Sequence, residues 1–144
     1  MTADCPTPAD DALLRRLQEI NASAAFNRWA GFEVSSAAEG YAELTLRWRE
    51  DFGQYAGFLH AGMIGALIDT ACGYAAATLC GPVLASHFNV SCLAPATGER
   101  FLAIGRVTRA GRKQVFTRAD LFALTSDARK CVATGEALLV PVAG

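Results

Sequence analysis

One carboxylate stands in the middle of a long apolar run of this sequence. Asp69 is the only ionised side chain between Ala61 and Ala85, where most residues are small and apolar, and His60 stands nine positions before it. Burying an unpaired carboxylate is costly, so such a side chain is paired, hydrogen-bonded or functional. A structural role, with the Thr70 hydroxyl as a partner or with water at an interface, competes with a catalytic one. In the catalytic interpretation a dry cleft tunes the pKa of Asp69 for work as a base or a nucleophile.

The apolar run itself predicts a helix over residues 61–78, about 27 Å long at 1.5 Å per residue. Apolar residues surround the axis of this helix, which is typical of a helix enclosed by other structure. Its length would also permit a membrane span. The central carboxylate, the many alanine and glycine residues and the break at Gly81-Pro82 favour a buried helix over a span.

The start of this helix is a second candidate for chemistry. The first backbone N–H groups of a helix lack partners within it and lie at the positive end of its dipole. Ala61 and Gly62 are small enough for a carbonyl group to approach these amides, which could hold a developing oxyanion. Asp69 lies about 11 to 12 Å further along the helix, too far for both groups to act on one carbonyl. Two antiparallel copies of the helix in a dimer would bring Asp69 of one chain to the Ala61 amide of the other.

The rest of the sequence predicts a peripheral helix and five strands. The segment "PADDALLRRLQEINASAAFNRWAGF" has leucine and isoleucine at helical spacing, with a short turn expected at Phe26 to Trp29. The alternation in "GYAELTLRW" predicts one strand before the central helix. Four more follow it, in "VLASHFNVSCL", "RFLAIGRVTRAG", "KQVFTRADLFAL" and "KCVATGEALLVPV". No long crossover joins these four, so we expect an antiparallel meander covered by the central helix in one α+β domain.

Composition and charge narrow the class of protein further. The chain has 144 residues, 52% of them hydrophobic and 19% charged, which is typical of one globular domain. A formal net charge of −1 without a basic cluster disfavours nucleic acid as a partner. The acidic stretch "MTADCPTPADD" lacks the features of a signal peptide, so we expect a cytoplasmic protein. The cysteines have no metal-type spacing and are expected to be small, buried and reduced. They are Cys5, Cys72, Cys80, Cys92 and Cys131.

The stretch "QYAGFLHAGMIGALIDTACGYA", residues 54–75, resembles the signature of the hotdog-fold acyl-CoA thioesterases of the phenylacetate-degradation type. Members of this family typically carry an asparagine, five residues, His-Gly-Gly, and an acid nine positions after the histidine. The resemblance extends from about residue 26 to 142 and includes "NVSCLAPA" and the turn "RAGRK". It implies a hotdog fold, with an antiparallel sheet of about five to six strands wrapped around one central helix. We expect an N-terminal helical segment at 1–25 and the hotdog domain at 26–144.

The resemblance also implies an activity, the hydrolysis of a medium-chain or aryl acyl-CoA to the free acid and coenzyme A. Asp69 would activate water or attack the thioester carbonyl, and the Ala61 amide would polarise that carbonyl. His60 and Gln54 would orient the loop and the substrate. The expected assembly is a homodimer or a homotetramer made of two dimers. No metal is implied, no cofactor beyond the coenzyme A of the substrate, and neither nucleic acid nor a membrane as a partner.

Three positions depart from the family pattern. Gln54 stands where asparagine is usual, which keeps the amide but lengthens its reach by one methylene. Ala61 replaces the first glycine, which keeps the N–H group and adds a methyl group. Ala85 stands where the family often has a serine or threonine that helps to place water, and Ser86, next to it, would face away in a regular strand. His87 could replace the missing hydroxyl, or it could belong to a half-exposed sheet face or a subunit contact.

Several other side chains are candidates for substrate binding. Basic residues at the "RAGRK" turn could bind the phosphates of coenzyme A, although charged turns are commonly just solvated. Aromatic residues such as Phe58, Tyr55 and Tyr74 could line an acyl pocket or simply pack in the core. The substrate-binding candidates are Gly62, Phe58, Ser86, His87, Arg109, Arg112 and Lys113.

Two other functions compete with the thioesterase interpretation. The first is a non-catalytic hotdog protein that binds acyl-CoA or another ligand, because Ala61 and Ala85 would weaken the site. The second is a hotdog dehydratase, which needs a histidine as base beside an acid. The second is disfavoured because His60 stands at the mouth of the helix, as in the thioesterase pattern.

Overall fold

The structure is a computed structural model that describes residues 9–142, and within them it contains three α-helices and six strands. In chain order these are α1 (Asp11–Ser23), α2 (Ala25–Ala30), β1 (Glu33–Ala38), β2 (Tyr41–Arg47), α3 (Ala61–Cys80), β3 (Val83–Cys92), β4 (Arg100–Ala110), β5 (Val115–Leu124) and β6 (Arg129–Pro141), with a 3₁₀ turn at Glu50–Phe52. The central helix and the five strands expected from the sequence are confirmed within a few residues. Cys5 and the first eight residues of the predicted 1–25 segment lie outside the described residues.

The six strands form one antiparallel sheet in the order β1-β2-β4-β5-β6-β3. The expected four-strand meander is therefore right for β4, β5 and β6 and wrong for β3, which pairs with β6 instead of β4. The physical reason is the length of α3, about 30 Å, which carries the chain from β2 to the far edge of the sheet. The chain then returns along the end of the sheet, where the amides of Leu93 and Glu99 donate to the carbonyls of Val132 and Leu124.

Strand β1 was not expected from the sequence, and its irregular side-chain pattern explains why. The strand has a bulge between Val34 and Ser36, so Val34 and Ala37 are both buried although three positions separate them. A bulge interrupts the period of two on which a strand is recognised in a sequence. The turn expected at Phe26 to Trp29 is instead the short helix α2, which ends at Gly31 with a left-handed φ of 80°.

Helix α3 fills the inside of the curled sheet and contacts all six strands. By length and composition alone it could cross a membrane, but ten of its residues are buried in the fold, which identifies it as the core helix. Gly105 lets β4 approach it closely, because a Cβ atom there would overlap the backbone oxygen of Ala71. This close approach fixes α3 against the sheet and so fixes the direction in which its functional groups point.

The N-terminal helix joins the same apolar core as the sheet. Helix α1 packs against β1, and its Leu17 is 1% exposed. The N-cap of α1 is Asp10, whose carboxylate accepts from the amides of Ala12 and Leu13. The division between residues 1–25 and 26–144 stays a prediction, since α1 and the sheet share one core.

The described cysteines are free thiols, but they differ in burial. Cys72 is buried as expected, and Cys80 and Cys131 are half-buried. Cys92 is exposed, which corrects the expectation that it is buried. It lies at the end of β3, the edge strand, where no further strand covers it.

Candidate active site

Asp69 lies on α3 beside a cavity of about 450 Å³ that is bounded by α1, α2, α3 and the start of β3. The side chain is half-buried, and desolvation raises the pKa of its carboxyl group above the ordinary value. Within residues 9–142 the carboxylate has no hydrogen bond and no ion pair, and the Thr70 hydroxyl does not cap it. A partly desolvated carboxylate that faces a cavity without a partner is available as a base or a nucleophile.

At the start of α3 one amide is free to bind a ligand. His60 is the N-cap of the helix, and its Nδ1 atom accepts from the amide of Gly62 at 2.8 Å. The amides of Met63 and Ile64 donate to the carbonyl of His60. The amide of Ala61 has no acceptor anywhere in the described part of the chain. Ala61 is exposed, so this N–H group is the one that could polarise a carbonyl.

Gly62 serves the geometry of this cap and does not offer a second free donor. A Cβ atom at Gly62 would lie 2.9 Å from Nδ1 of His60, which is closer than real contacts allow. Glycine is therefore the residue that lets the imidazole fold back onto the first turn. Because Nδ1 is the acceptor, the neutral imidazole carries its proton on Nε2.

The side chain of Gln54 shapes the loop that leads to the helix. Its Oε1 atom accepts from the backbone amides of Ala56 and Phe58. The backbone N–H group of Gln54 donates to the carbonyl of Phe58 at 2.8 Å. The extra methylene, compared with asparagine, is taken up by this fold-back within the loop. Gln54, Phe58, His60 and Ala61 line a second cavity, of about 580 Å³, together with Cys92 and Leu93 of the β3 end.

Within one chain the structure does not bring Asp69 and Ala61 together. They lie eight residues apart on α3, about 12 Å along the axis, and they line different cavities. One cavity therefore contains the carboxylate without a partner, and the other contains the free amide.

A bulge in β3 decides where the next candidates point. The register shifts between Ala85 and His87, and Ser86 is the extra residue. Ala85 lines the Asp69 cavity, whereas the Ser86 hydroxyl donates to the carbonyl of Leu138 at 3.3 Å. His87 turns to the outer face of the sheet, so within one chain it does not lie beside Asp69. The sequence alone did not indicate this bulge.

His87 shares an outer groove with one of the basic candidates. The groove has a volume of about 610 Å³ and contains His87, Arg109 and Arg118 above the apolar side chains of Phe116 and Leu138. Arg112 and Lys113 are exposed in the β4–β5 turn and line neither the Asp69 cavity nor the outer groove.

Asn27 was not expected from the sequence; it lines the Asp69 cavity and its side chain donates to Asn21 and Tyr74. Two asparagines in a helical segment whose other inward residues are apolar were the available signal. Within residues 9–142 no three His, Cys, Asp or Glu side chains are close enough together to hold a metal ion.

Replacement of His60 by alanine should destabilise the protein by about 1 kcal/mol, because the Gly62 amide loses its N-cap acceptor. His60→Asn is the matched control, since asparagine is a good N-cap and should retain most of the stability. Urea unfolding of the three proteins measures the difference. Equal stability of His60→Ala and the wild type would contradict the role of His60 as a cap.

Comparisons with known proteins identify the family and the fold of this chain. The model of the thioesterase superfamily matches residues 56–128. A thioesterase family protein from Silicibacter pomeroyi is 30% identical with a TM-score of 0.88, and the match covers 92% of this chain and 99% of that chain. Among curated protein sequences none matches this chain significantly.

Two more distant structures show the same fold. The E. coli PaaI protein from the phenylacetic acid degradation operon is 19% identical with a TM-score of 0.86, covering 95% of this chain and 98% of that chain. Zebrafish thioesterase superfamily member 2 is 24% identical with a TM-score of 0.78, and the match covers 94% of this chain and 100% of that chain. Both confirm the six-stranded sheet around one central helix as a hotdog fold.

Proposed function

This chain belongs to the thioesterase superfamily, and from that membership we propose that it hydrolyses acyl-CoA thioesters at a site shared by two chains. One observation carries the proposal. A partly desolvated carboxylate without a partner and a free helix-start amide lie on one helix but in separate cavities. Asp69 of one chain and the Ala61 amide of a second chain would then act on the same carbonyl.

The edge strand β3 supports a dimer. It has ten residues, and all of them except Val83 and Val90 are exposed. Within residues 9–142 its only partner strand is β6. A long, bare edge strand is a template for pairing with another strand. The opposite edge, β1, is shorter and is covered by α1. We therefore place the twofold axis of the dimer at β3.

Antiparallel pairing of two β3 strands would also join the two cavities. With the axis near Phe88 and Asn89, Ala85 of one chain lies opposite Cys92 of the other. Ala85 lines the Asp69 cavity, and Cys92 lines the cavity of Ala61. Each Asp69 would thereby face the helix start of the partner, and a symmetric dimer would contain two such sites.

The chemistry at this site needs one base and one oxyanion donor. In one route Asp69 removes a proton from water, whose oxygen attacks the thioester carbon. In the other the carboxylate attacks that carbon itself, and after coenzyme A has left a water molecule hydrolyses the acyl–Asp69 anhydride to the free acid and the carboxylate. The carbonyl oxygen gains negative charge and accepts from the Ala61 amide. The carbon–sulfur bond then breaks, and coenzyme A leaves as a thiolate that takes up a proton. A thiolate is a good leaving group, so no strong general acid is required.

The remaining candidate residues are assigned to substrate binding. A cavity of about 450 Å³ beside Asp69 suits a medium-chain or aryl acyl group. Phe58, Gly62 and Gln54 would contact the thioester end. The phosphates of coenzyme A would be bound by Arg109 and His87 in the outer groove and by the exposed Arg112 and Lys113. We also propose a cytoplasmic location and a homodimer or homotetramer.

The test is hydrolysis of a panel of acyl-CoAs, straight-chain and aryl, followed as release of free thiol. We expect kcat/KM to be highest for one class of acyl group, while oxygen esters of the same acids react more slowly. Binding of acyl-CoA without hydrolysis of any member would overturn the proposal in favour of a ligand-binding hotdog protein.

A further inference from the structure

We propose that Asn27 selects the acyl group, because its Oδ1 atom offers a hydrogen-bond acceptor to the Asp69 cavity. The cavity would then prefer acyl groups that carry a hydroxyl at their distal end over apolar acyl groups of the same length. This inference rests on the proposed function, since it assumes that the acyl group occupies the Asp69 cavity.

A buried network fixes the orientation of Asn27. The Nδ2 atom of Asn21 donates to the carbonyl of Phe32 at 2.7 Å, so Oδ1 of Asn21 faces the other way. That oxygen accepts from Nδ2 of Asn27 at 3.0 Å and from the hydroxyl of Tyr74 at 2.8 Å. Nδ2 of Asn27 also donates to the Tyr74 hydroxyl, at 2.8 Å. Both hydrogen-bond partners of the Asn27 amide nitrogen therefore lie inside the protein.

The oxygen of Asn27 is left without a donor. Among residues 9–142 none donates to Oδ1, although the residue is only 9% exposed. Every side-chain N or O atom that is fully inaccessible in this part of the chain has a partner, so this oxygen keeps some access. Asn27 lines the Asp69 cavity, which is where the hydroxyl of the proposed substrate would reach this oxygen. An acceptor held so rigidly is satisfied either by water or by a donor on a ligand.

The rest of the cavity fits a chain that runs from Asp69 towards Asn27. Its walls include the apolar side chains of Ile20, Ala77 and Leu139. Gly73, one turn after Asp69, has no atom within 4 Å of the position of a Cβ, so there is space beside the carboxylate. Because Asp69 and Asn27 line the same cavity, an acyl group whose carbonyl is held at Asp69 would reach Asn27 best at one chain length. A site that hydrogen-bonds a hydroxyl discriminates strongly against the analogue that lacks it.

The experiment compares straight-chain acyl-CoAs of about four to ten carbons with and without a terminal hydroxyl. For the wild type we expect the ratio of kcat/KM, hydroxylated over unsubstituted, to peak at one length with a preference of at least about tenfold. Asn27→Leu should abolish the peak. Asn27→Gln should move it to a chain shorter by one carbon, because the acceptor extends one methylene further into the cavity.

Tyr74→Phe is the matched control. It removes a hydroxyl from the same network but leaves Oδ1 of Asn27 and its bond to Asn21, so the preference should persist. Thermal unfolding of each variant measures separately how much the loss of these hydrogen bonds lowers the stability of the protein. If Asn27→Leu does not fold, the displacement of the peak in Asn27→Gln decides the question.

Two outcomes overturn the inference without touching the proposed function. One is a flat ratio at all chain lengths in an active wild type, and the other is an unchanged peak in both Asn27 variants. If no acyl-CoA is hydrolysed, the proposed function fails by itself. Calorimetric binding of the same acyl-CoA pairs to Asp69→Asn then measures the preference directly, and equal affinities within every pair would overturn the inference.

Discussion

Replacement of Asp69 by asparagine is expected to lower kcat/KM for acyl-CoA hydrolysis by about 10³-fold while the fold and the oligomeric state persist. The amide has nearly the shape of the carboxylate but can neither accept a proton from water nor attack a carbonyl. The side chain makes no hydrogen bond or ion pair within residues 9–142, so no structural partner is lost. Thiol release measures the rate, and size-exclusion chromatography measures the oligomeric state.

The same variant has an expected effect on stability, which serves as its control. Burial raises the pKa of Asp69, so the folded protein binds this proton more tightly than the unfolded chain does. The contribution of Asp69 to stability is thus lost as pH rises from the ordinary aspartate pKa of 3.8 through the raised value. Above that window asparagine removes the cost of a desolvated charge. Asp69→Asn should therefore unfold at the same temperature as the wild type or a slightly higher one at neutral pH.

The pH profile adds a second readout for the wild type. A base works only when deprotonated, so kcat/KM should fall with decreasing pH around the raised pKa of Asp69 and not around the ordinary value. Equal hydrolysis by wild type and Asp69→Asn would make the carboxylate structural. If the variant no longer formed the dimer, its lower rate would not report on the catalytic role of Asp69. Such a result would also contradict the expectation that the Asp69 side chain has no structural role.

The sequence predicted the central helix and most strands because their patterns are local. The alternation in β2 and the long apolar run of α3 are each visible within twenty residues, and the buried residues Ala42, Leu44 and Leu46 lie on the expected face of β2. The position of β3 was not predictable in this way. Its pairing with β6 depends on where a 20-residue helix delivers the chain, which is a property of the packed fold.

The residues of the candidate site likewise differ in whether local sequence patterns predict them. Asp69, His60 and Ala61 were recognisable because helix spacing and the chemistry of a helix start depend on neighbouring residues alone. The bulge at Ser86, which sends His87 to the outer face, is a detail of strand pairing that residue types do not encode. Asn27 was missed for a different reason, since its role depends on Tyr74, 47 positions away in the sequence.

Replacement of Ala61 by proline should lower kcat/KM by about 10²–10³-fold, because it removes the proposed oxyanion donor and little else. Proline is favoured at the first position of a helix, where its missing N–H group has no partner inside the helix. The residue before a proline must be extended, and His60 already has φ −61° and ψ 138°. Ala61→Ser is the matched control, since it keeps the N–H group and should retain most of the activity.

Mixing the two inactive variants should restore activity, and this tests the two-chain site directly. In a dimer of one Asp69→Asn chain and one Ala61→Pro chain, one site has both defects and the other pairs an intact Asp69 with an intact Ala61 amide. Refolding equal amounts together gives about half mixed dimers, so about a quarter of wild-type activity should return from two nearly inactive proteins. If Asp69 and Ala61 instead acted within one chain, every site would carry one defect. The mixture would then stay as inactive as its components, and the site would have to be assigned within a single chain.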